Sequence, residues 1–300
     1  MCGRTFSESE EKKNNSIEFV PVHGIRLTYI QSTDRSSSDE TSVMSDILQL
    51  PSRDEVRVVA ELRERLEPLL DSLSSSSSGG DERMKKDFFT DTCILRFLRG
   101  RKHDKERAYR AMNRFFEWRR ENSVDLIDPS YILKEVDSGK ISATDNRFDK
   151  LGRPVITVIA NKHNMHDRDI DVMKSFIISV LEEALKKTNP IDEKIVILFD
   201  LQAFTLNCMD YDVVKMLIEI LQFNYPETLA VALIVNAPFI FNASWMLISG
   251  LLDPITAKKV VFCSNNSRVR EFLGEGADLV IKSQPTSSVN LEAMVTDDQK

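Results

Sequence analysis

Apolar positions along this chain follow two different rhythms. Between residues 52 and 138 they keep helical spacing. Val56, Val59, Leu62 and Leu66 line one side of a segment that Ser52 can cap, and Pro68 is predicted to end or kink it. Thr90 or Asp91 can cap TCILRFLRG, with Gly100 as its stop signal. Asp104 can cap the next segment, where Ala108, Ala111, Met112, Phe115, Phe116 and Trp118 make a broad apolar face. A short helix over Pro129–Asp137 closes this stretch. From Arg153 onwards β-branched runs alternate with helical ones. VITVIA (155–160), IVILFDL (195–201), Ala230–Val235 and Val260–Cys263 read as strands, and Leu279–Ile281 as a final short one. Helices are predicted over Asp171–Lys187, after an Asp210 cap with Val213, Met216, Leu217, Ile220 and Leu221 on one face, over Phe239–Leu252, and over Ser267–Leu273. The pattern predicts an α/β fold: a small all-helical module at 52–138, then an α/β domain at 139–283 with a mainly parallel sheet. IVILFDL is apolar almost throughout, as a strand covered on both faces should be.

One stretch breaks the ordinary balance of polar and apolar residues. Leu229–Leu252 contains no charged residue and is long enough to cross a bilayer. Asn236, Pro238, Asn242, Ser244, Ser249 and Gly250 interrupt it, and a lipid-facing helix would have to bury or satisfy those groups. It is read instead as a buried strand followed by an unusually apolar helix.

Composition narrows the classes. The chain has 300 residues, a formal net charge of −7 and 42 % hydrophobic residues, within the range of a soluble globular protein. The acidic balance argues against general nucleic-acid binding, which needs a basic face. Residues 1–51 and 284–300 are predicted to be disordered tails, apart from a partly alternating island, Ile17–Ile30, that could form a strand. The serine- and glycine-rich stretch 72–81 reads as a solvated loop. No secretory signal or lipidation motif is apparent at either end. Cys2, Cys93, Cys208 and Cys263 lack metal-site spacing and are expected to be reduced thiols, the last three buried.

Catalytic motifs are missing. There is no GxSxG elbow and no P-loop. HNMHD (163–167) could offer two imidazoles and a carboxylate to a metal, but it is read as a polar loop with exposed histidines, and no metal or cofactor is expected. Asp200 ends an apolar strand, where acid–base residues occur, but alone it is read as a loop-fixing group. An enzyme is not expected.

An ordered series of motifs resembles the CRAL-TRIO lipid-binding family, whose members include the yeast-type phosphatidylinositol transfer proteins. LRFLRGRKHD (95–104), EWRR (117–120), GRPV (152–155), ILFDLQ (197–202), NYPETL (224–229), IVNAPFIF (234–241) and LLDPITAKKV (251–260) follow the family's order. The resemblance implies an apolar lipid pocket on one side of the sheet, closed by a gate helix at about Phe239–Leu252. Phe239, Phe241, Trp245, Met246, Ile248 and Leu251 would then be its gate and acyl-chain contacts. It also implies a headgroup site at Arg101, Glu227, Thr256 and Lys259. Arg101 and Lys259 would donate to phosphate, and Glu227 would orient the lysine or accept from inositol hydroxyls. By residue type alone the same four could be an ion-pair network holding the helical module to the sheet domain.

Two departures from the family pattern bear on this site. Thr228 stands where an arginine often follows the YPE glutamate, which is expected to remove one cation. Ala203 stands where a glycine is usual, which is expected to alter that turn. The implied function is binding of a phospholipid, most directly phosphatidylinositol, and its transfer or presentation between membranes. This would be the work of a cytoplasmic monomer that touches membranes transiently. A carrier or sensor of a tocopherol- or retinoid-like ligand, a partner-binding module and a hydrolase remain as alternatives.

Overall fold

Four parallel strands lying side by side in chain order must place the helices of their three crossovers on one face of the sheet, because such crossovers are right-handed. That rule governs the computed structural model of this protein, which describes residues 19–22, 25–28, 50–73, 89–143, 147–191 and 193–274. The chain divides into two units, residues 1–50 and 51–300. In the first, β1 (Phe19–Val22) and β2 (Ile25–Thr28) pair antiparallel, within the island singled out above. The rest of both expected tails, most of loop 72–81 and the strand expected at Leu279–Ile281 lie outside the described residues.

The second unit begins with three helices, α1 (Arg53–Leu73), α2 (Asp91–Gly100) and α3 (Lys105–Glu121). Ser52 and Glu55 form a reciprocal capping box: the Glu55 amide donates to Ser52 Oγ at 3.2 Å and the Ser52 amide to Glu55 Oε2 at 2.8 Å. Thr90 caps α2 and Asp104 caps α3. Leu62, Leu66, Leu70, Ile94, Phe97, Leu98, Met112, Phe115 and Phe116 close the core between them. Pro68 does not end α1. It lies on the exposed side, opposite Leu66 and Leu70, so water can satisfy the carbonyl one turn back while the buried face stays in register. Gly100 acts differently from the stop signal expected of it. It is the last residue of α2, and a Cβ there would lie 2.8 Å from Pro226 Cβ, so the absent side chain permits a close approach.

A short helix α4 (Leu133–Ser138) leads into the sheet of β3 (Ile141–Ser142), β4 (Val155–Ile159), β5 (Ile195–Asp200), β6 (Leu229–Val235) and β7 (Val260–Cys263). They lie side by side in chain order, with β3 antiparallel at the edge and the rest parallel. The connecting helices are α5 (Ile170–Leu185), α6 (Tyr211–Glu219, extended by a π-helical turn over Ile220–Asn224), α7 (Phe241–Ser249) and α8 (Pro254–Ala257). A last helix, α9 (Asn266–Leu273), covers the other face, where Val269 and Leu273 pack on Val196, Leu198, Leu233 and Val235. The charge-free stretch divides as expected, but its helix is shorter than Phe239–Leu252.

Helical module and sheet are joined by one buried polar cluster. Arg119 of α3 is inaccessible to solvent. It donates to Asp125 at 2.6 and 3.1 Å and to Glu182 of α5 at 3.0 and 3.1 Å. The Tyr225 hydroxyl donates to the same Glu182 at 2.5 Å, and its ring meets Phe115 and Trp118 edge-on. The neighbouring carboxylates outweigh the desolvation that would weaken the Arg119 charge, and its pKa is raised. Burial, with Glu182 beside it, pushes the Tyr225 phenol well up.

Arg119→Met is expected to cost about 3–5 kcal/mol in urea unfolding, because it leaves Glu182 and Asp125 buried without their cation. A loss below about 1 kcal/mol would show the cluster to be dispensable. A second expectation concerns pH. Burial alone would raise the Glu55 carboxyl. The bonds from Arg99, the Ser52 amide and His103 outweigh it and hold the group at about 2. A lowered carboxyl pKa stabilises above its unfolded value and loses that contribution as pH falls through the folded one. The melting-temperature deficit of Glu55→Gln should therefore be full at pH 6 and vanish between about pH 4.5 and pH 2.

Candidate functional site

Helix α6 has no fully buried side chain, and α7 has only Phe241 and Ser244. Both leave a gap between part of their length and the sheet, a cavity of about 710 Å³. The sheet supplies Ile156, Val158, Ile197, Phe199, Ala232 and Ile234. Opposite them are Met173, Ile177 and Leu181 of α5, Val213, Val214 and Leu217 of α6, and Phe241, Trp245 and Ile248 of α7. The α7 residues are spaced four and three apart, so they share one helical face. Phe241 meets Phe204 edge-on at 5.4 Å and Trp245 meets Phe262 at 5.0 Å.

The six expected gate residues divide by this face. Phe241, Trp245 and Ile248 line the cavity. Phe239, Met246 and Leu251 do not; they are exposed, Phe239 at 72 % and Met246 at 70 %. Met246 lies on the side of α7 away from the cavity, and Phe239 and Leu251 lie just beyond the ends of the helix. Ile240 and Leu247 join the outward set.

Arg101, Glu227, Thr256 and Lys259 all line this one cavity, although 158 positions separate the first from the last. Glu227 sits in a left-handed turn (φ 57°) just before β6, and Lys259 immediately precedes β7. They mark the end of the cavity at the strands' N-termini. Lys259 Nζ lies 3.6 Å from Glu227 Oε2, and Lys194 Nζ lies 3.5 Å from the same oxygen. The Thr256 hydroxyl donates to Asp253 Oδ2 at 2.5 Å, and Asp253 caps α8. Burial would raise the Asp253 carboxyl, but the Thr256 hydroxyl and the α8 amides hold it below its usual range. Arg101 spends one bond on the Gly100 carbonyl and has no carboxylate partner among the described residues. Burial, with Arg114 nearby, lowers its pKa.

A second polar group occupies the other end. β5 is six residues long, so the two ends are separated by roughly 20 Å. His163 follows β4 and is not exposed, against expectation. Its Nε2 lies 3.1 Å from Asp210 Oδ2, and Arg168 donates to the same carboxylate at 2.7 Å. Burial would raise Asp210; the Arg168 and His163 bonds overcome this and hold it at about 2. His166 is exposed, as expected. Among the described residues no three His, Cys, Asp or Glu side chains gather as a metal site. Asp200 accepts from the Gln202 amide at 2.9 Å and from Asn236 Nδ2 at 2.8 Å, the loop-fixing role expected of it. Cys93 and Cys263 are buried, whereas Cys208 is half-buried at the cavity wall.

The two departures from the family pattern take definite places in the structure. Thr228 is fully buried and accepts from Arg96 Nη1 at 2.7 Å; it is absent from the cavity wall, so this position takes no cation from the cavity itself. Ala203 adopts a left-handed conformation (φ 55°), a backbone region that glycine enters more readily than alanine. Sequence reasoning passed over Lys194 and Arg96. Each is a buried cation flanking or interrupting an apolar run, and that placement was the available signal.

Comparison with known proteins finds likenesses in sequence and in fold. The family model described as the CRAL/TRIO domain matches residues 138–275. Over 198 residues the chain is 33 % identical to the phosphatidylinositol transfer protein CSR1 of Eremothecium gossypii, covering 62 % of this chain and 45 % of that one. It is 31 % identical over 192 residues to the phosphatidylinositol/phosphatidylcholine transfer protein SFH7 of Arabidopsis thaliana, covering 57 % and 35 %. The chain thus spans less than half the length of these curated relatives. The crystal structure of Sfh5 superposes with a TM-score of 0.57 at 17 % identity, over 73 % of this chain and 83 % of that one, a likeness of fold. No helix among the described residues is long and apolar enough to cross a membrane. Residues 138–275 thus carry this chain's likeness to the CRAL/TRIO domain.

Proposed function

We propose that this protein binds a phospholipid, phosphatidylinositol in the first place, and carries it between membranes without chemical change. The observation that carries the reading is one cavity, apolar between its ends, that has Arg101, Lys259, Thr256 and Glu227 together at one end. Its volume is within the roughly 300–1,000 Å³ usual for ligand pockets. Each methylene moved from water into such a wall gains about 0.8 kcal/mol, so acyl chains supply the affinity. The polar end supplies discrimination. Arg101 and Lys259 donate to the phosphodiester, while Glu227 and Thr256 meet inositol hydroxyls. The names of the two relatives in the comparison support this assignment of ligand and activity.

Transfer needs an opening, and α7 is built to provide one. Its inner face touches the cavity, and its outer face, with Met246 and Leu247, offers apolar side chains to a bilayer, joined by Phe239, Ile240 and Leu251 just beyond its ends. Swinging outward exchanges one apolar contact for another, which keeps the cost of opening low.

Three outcomes test this reading. The double variant Arg101→Ala/Lys259→Ala should lower phosphatidylinositol transfer between vesicles at least about tenfold, each lost charge-assisted bond being worth ~1.5–3 kcal/mol; unchanged transfer would refute the headgroup assignment. Ala232→Phe, which places a ring at the cavity wall, should abolish co-purification of lipid while matching the melting temperature of the delipidated unmodified protein. Met246→Asp with Leu247→Asp should weaken sedimentation with vesicles several-fold while sparing the fold.

A further inference from the structure

We propose that Lys194 is a positioning residue for this polar end: it holds Glu227 from behind the cavity wall, so that Lys259 can leave Glu227 for an incoming phosphate. The inference rests on the headgroup assignment above. Its basis is one carboxylate set between two ammonium groups of different access. Glu227 Oε2 lies 3.5 Å from Lys194 Nζ and 3.6 Å from Lys259 Nζ. Lys259 lines the cavity, whereas Lys194 is buried and does not. A ligand can therefore reach one ammonium and not the other.

The consequence follows from charge. If Glu227 had Lys259 alone, a phosphate drawing that lysine away would leave a partly buried carboxylate unpaired, and much of the gain would be cancelled. With Lys194 in place the carboxylate stays paired throughout the exchange. Lys194 also holds the backbone, since its Nζ donates to the Glu227 carbonyl at 2.5 Å. Glu227 is a non-glycine residue at φ 57°, a conformation that persists only where its surroundings over-determine it. Those surroundings come from the helical module as well. Arg96 Nη1 donates to the Pro226 carbonyl at 3.3 Å and to Thr228 Oγ1 at 2.7 Å, its Nε donates to Glu193 at 2.7 Å, and Gly100 lies against Pro226. The turn that presents Glu227 is thus gripped on both sides, from α2 and from the residue before β5.

The test uses the full chain and vesicles of phosphatidylcholine containing phosphatidylinositol as donor. Lys194→Met should lower phosphatidylinositol transfer about tenfold, the weight of one charge-assisted bond. In a Glu227→Ala background, where no carboxylate needs holding, adding Lys194→Met should change the remaining transfer less than about twofold. Lys194→Gln, which keeps a donor for the carbonyl but not the charge, serves if the methionine variant fails to fold, and should show the same dependence on background. Equal losses in both backgrounds would reduce Lys194 to a structural residue and overturn the inference. So would intact transfer by Lys194→Met, with the headgroup reading left standing. Absence of phosphatidylinositol transfer by the unmodified protein would overturn both.

Discussion

The buried charge of Arg119 is the constraint around which the second unit is arranged. A guanidinium with no access to water must be surrounded by acceptors, and those acceptors come from different parts of the chain: Asp125 beyond the end of α3, and Glu182 on α5. Tyr225 completes the set through Glu182. Because Tyr225 is two residues from Glu227, the same cluster that docks the helical module also anchors the turn at the mouth of the cavity. Such clusters contribute less to net stability than their bond count suggests, since each ion must be desolvated. Their effect is geometric: only one arrangement of α3, α5 and the β6 approach satisfies every partner.

A firm joint on one side is matched by loose packing on the other. Ile177 and Leu181 of α5 close against the sheet, whereas α6 and α7 leave their apolar side chains half-exposed. Sequential parallel topology explains why both kinds of helix lie on one face, and α9 explains how the opposite face is closed without them. Polar groups sit at both ends of the cavity, yet the set expected from the resemblance lies at the strands' N-terminal ends. Ligands of open parallel sheets usually gather at the C-terminal ends. Asp200, at a C-terminal end, drew attention for that reason, and it is occupied with its own loop.

Much of this was legible in the chain because it depends on local spacing. Ser52, Asp104 and Asp210 are caps by virtue of the amides that follow them, and the charge-free stretch had to break where Asn236 and Pro238 interrupt it. The four residues of the polar end were legible only through an ordered set of motifs, since nothing local connects Arg101 with Lys259. What escaped was the direction each side chain takes. Periodicity gives a helix an apolar face but not what that face meets, so Phe239 and Met246 could not be told from Phe241 and Trp245. Nor could sequence tell that Glu227 lines the cavity while its neighbour Thr228 is buried away from it. His163 and Lys194 were hidden because their partners, Asp210 and Glu227, lie 47 and 33 positions away.

The half-exposed inner face of α6 also links persistence to occupancy. Apolar area left uncovered in the empty protein becomes covered when any fitting ligand enters, and a ligand that binds only the folded chain stabilises it by mass action. The empty form is then the one whose α6 and α7 open most readily, and a partly opened chain is what proteases and chaperones act upon. On the function proposed above, a cell short of the lipid would hold less of the protein, and abundance would follow supply.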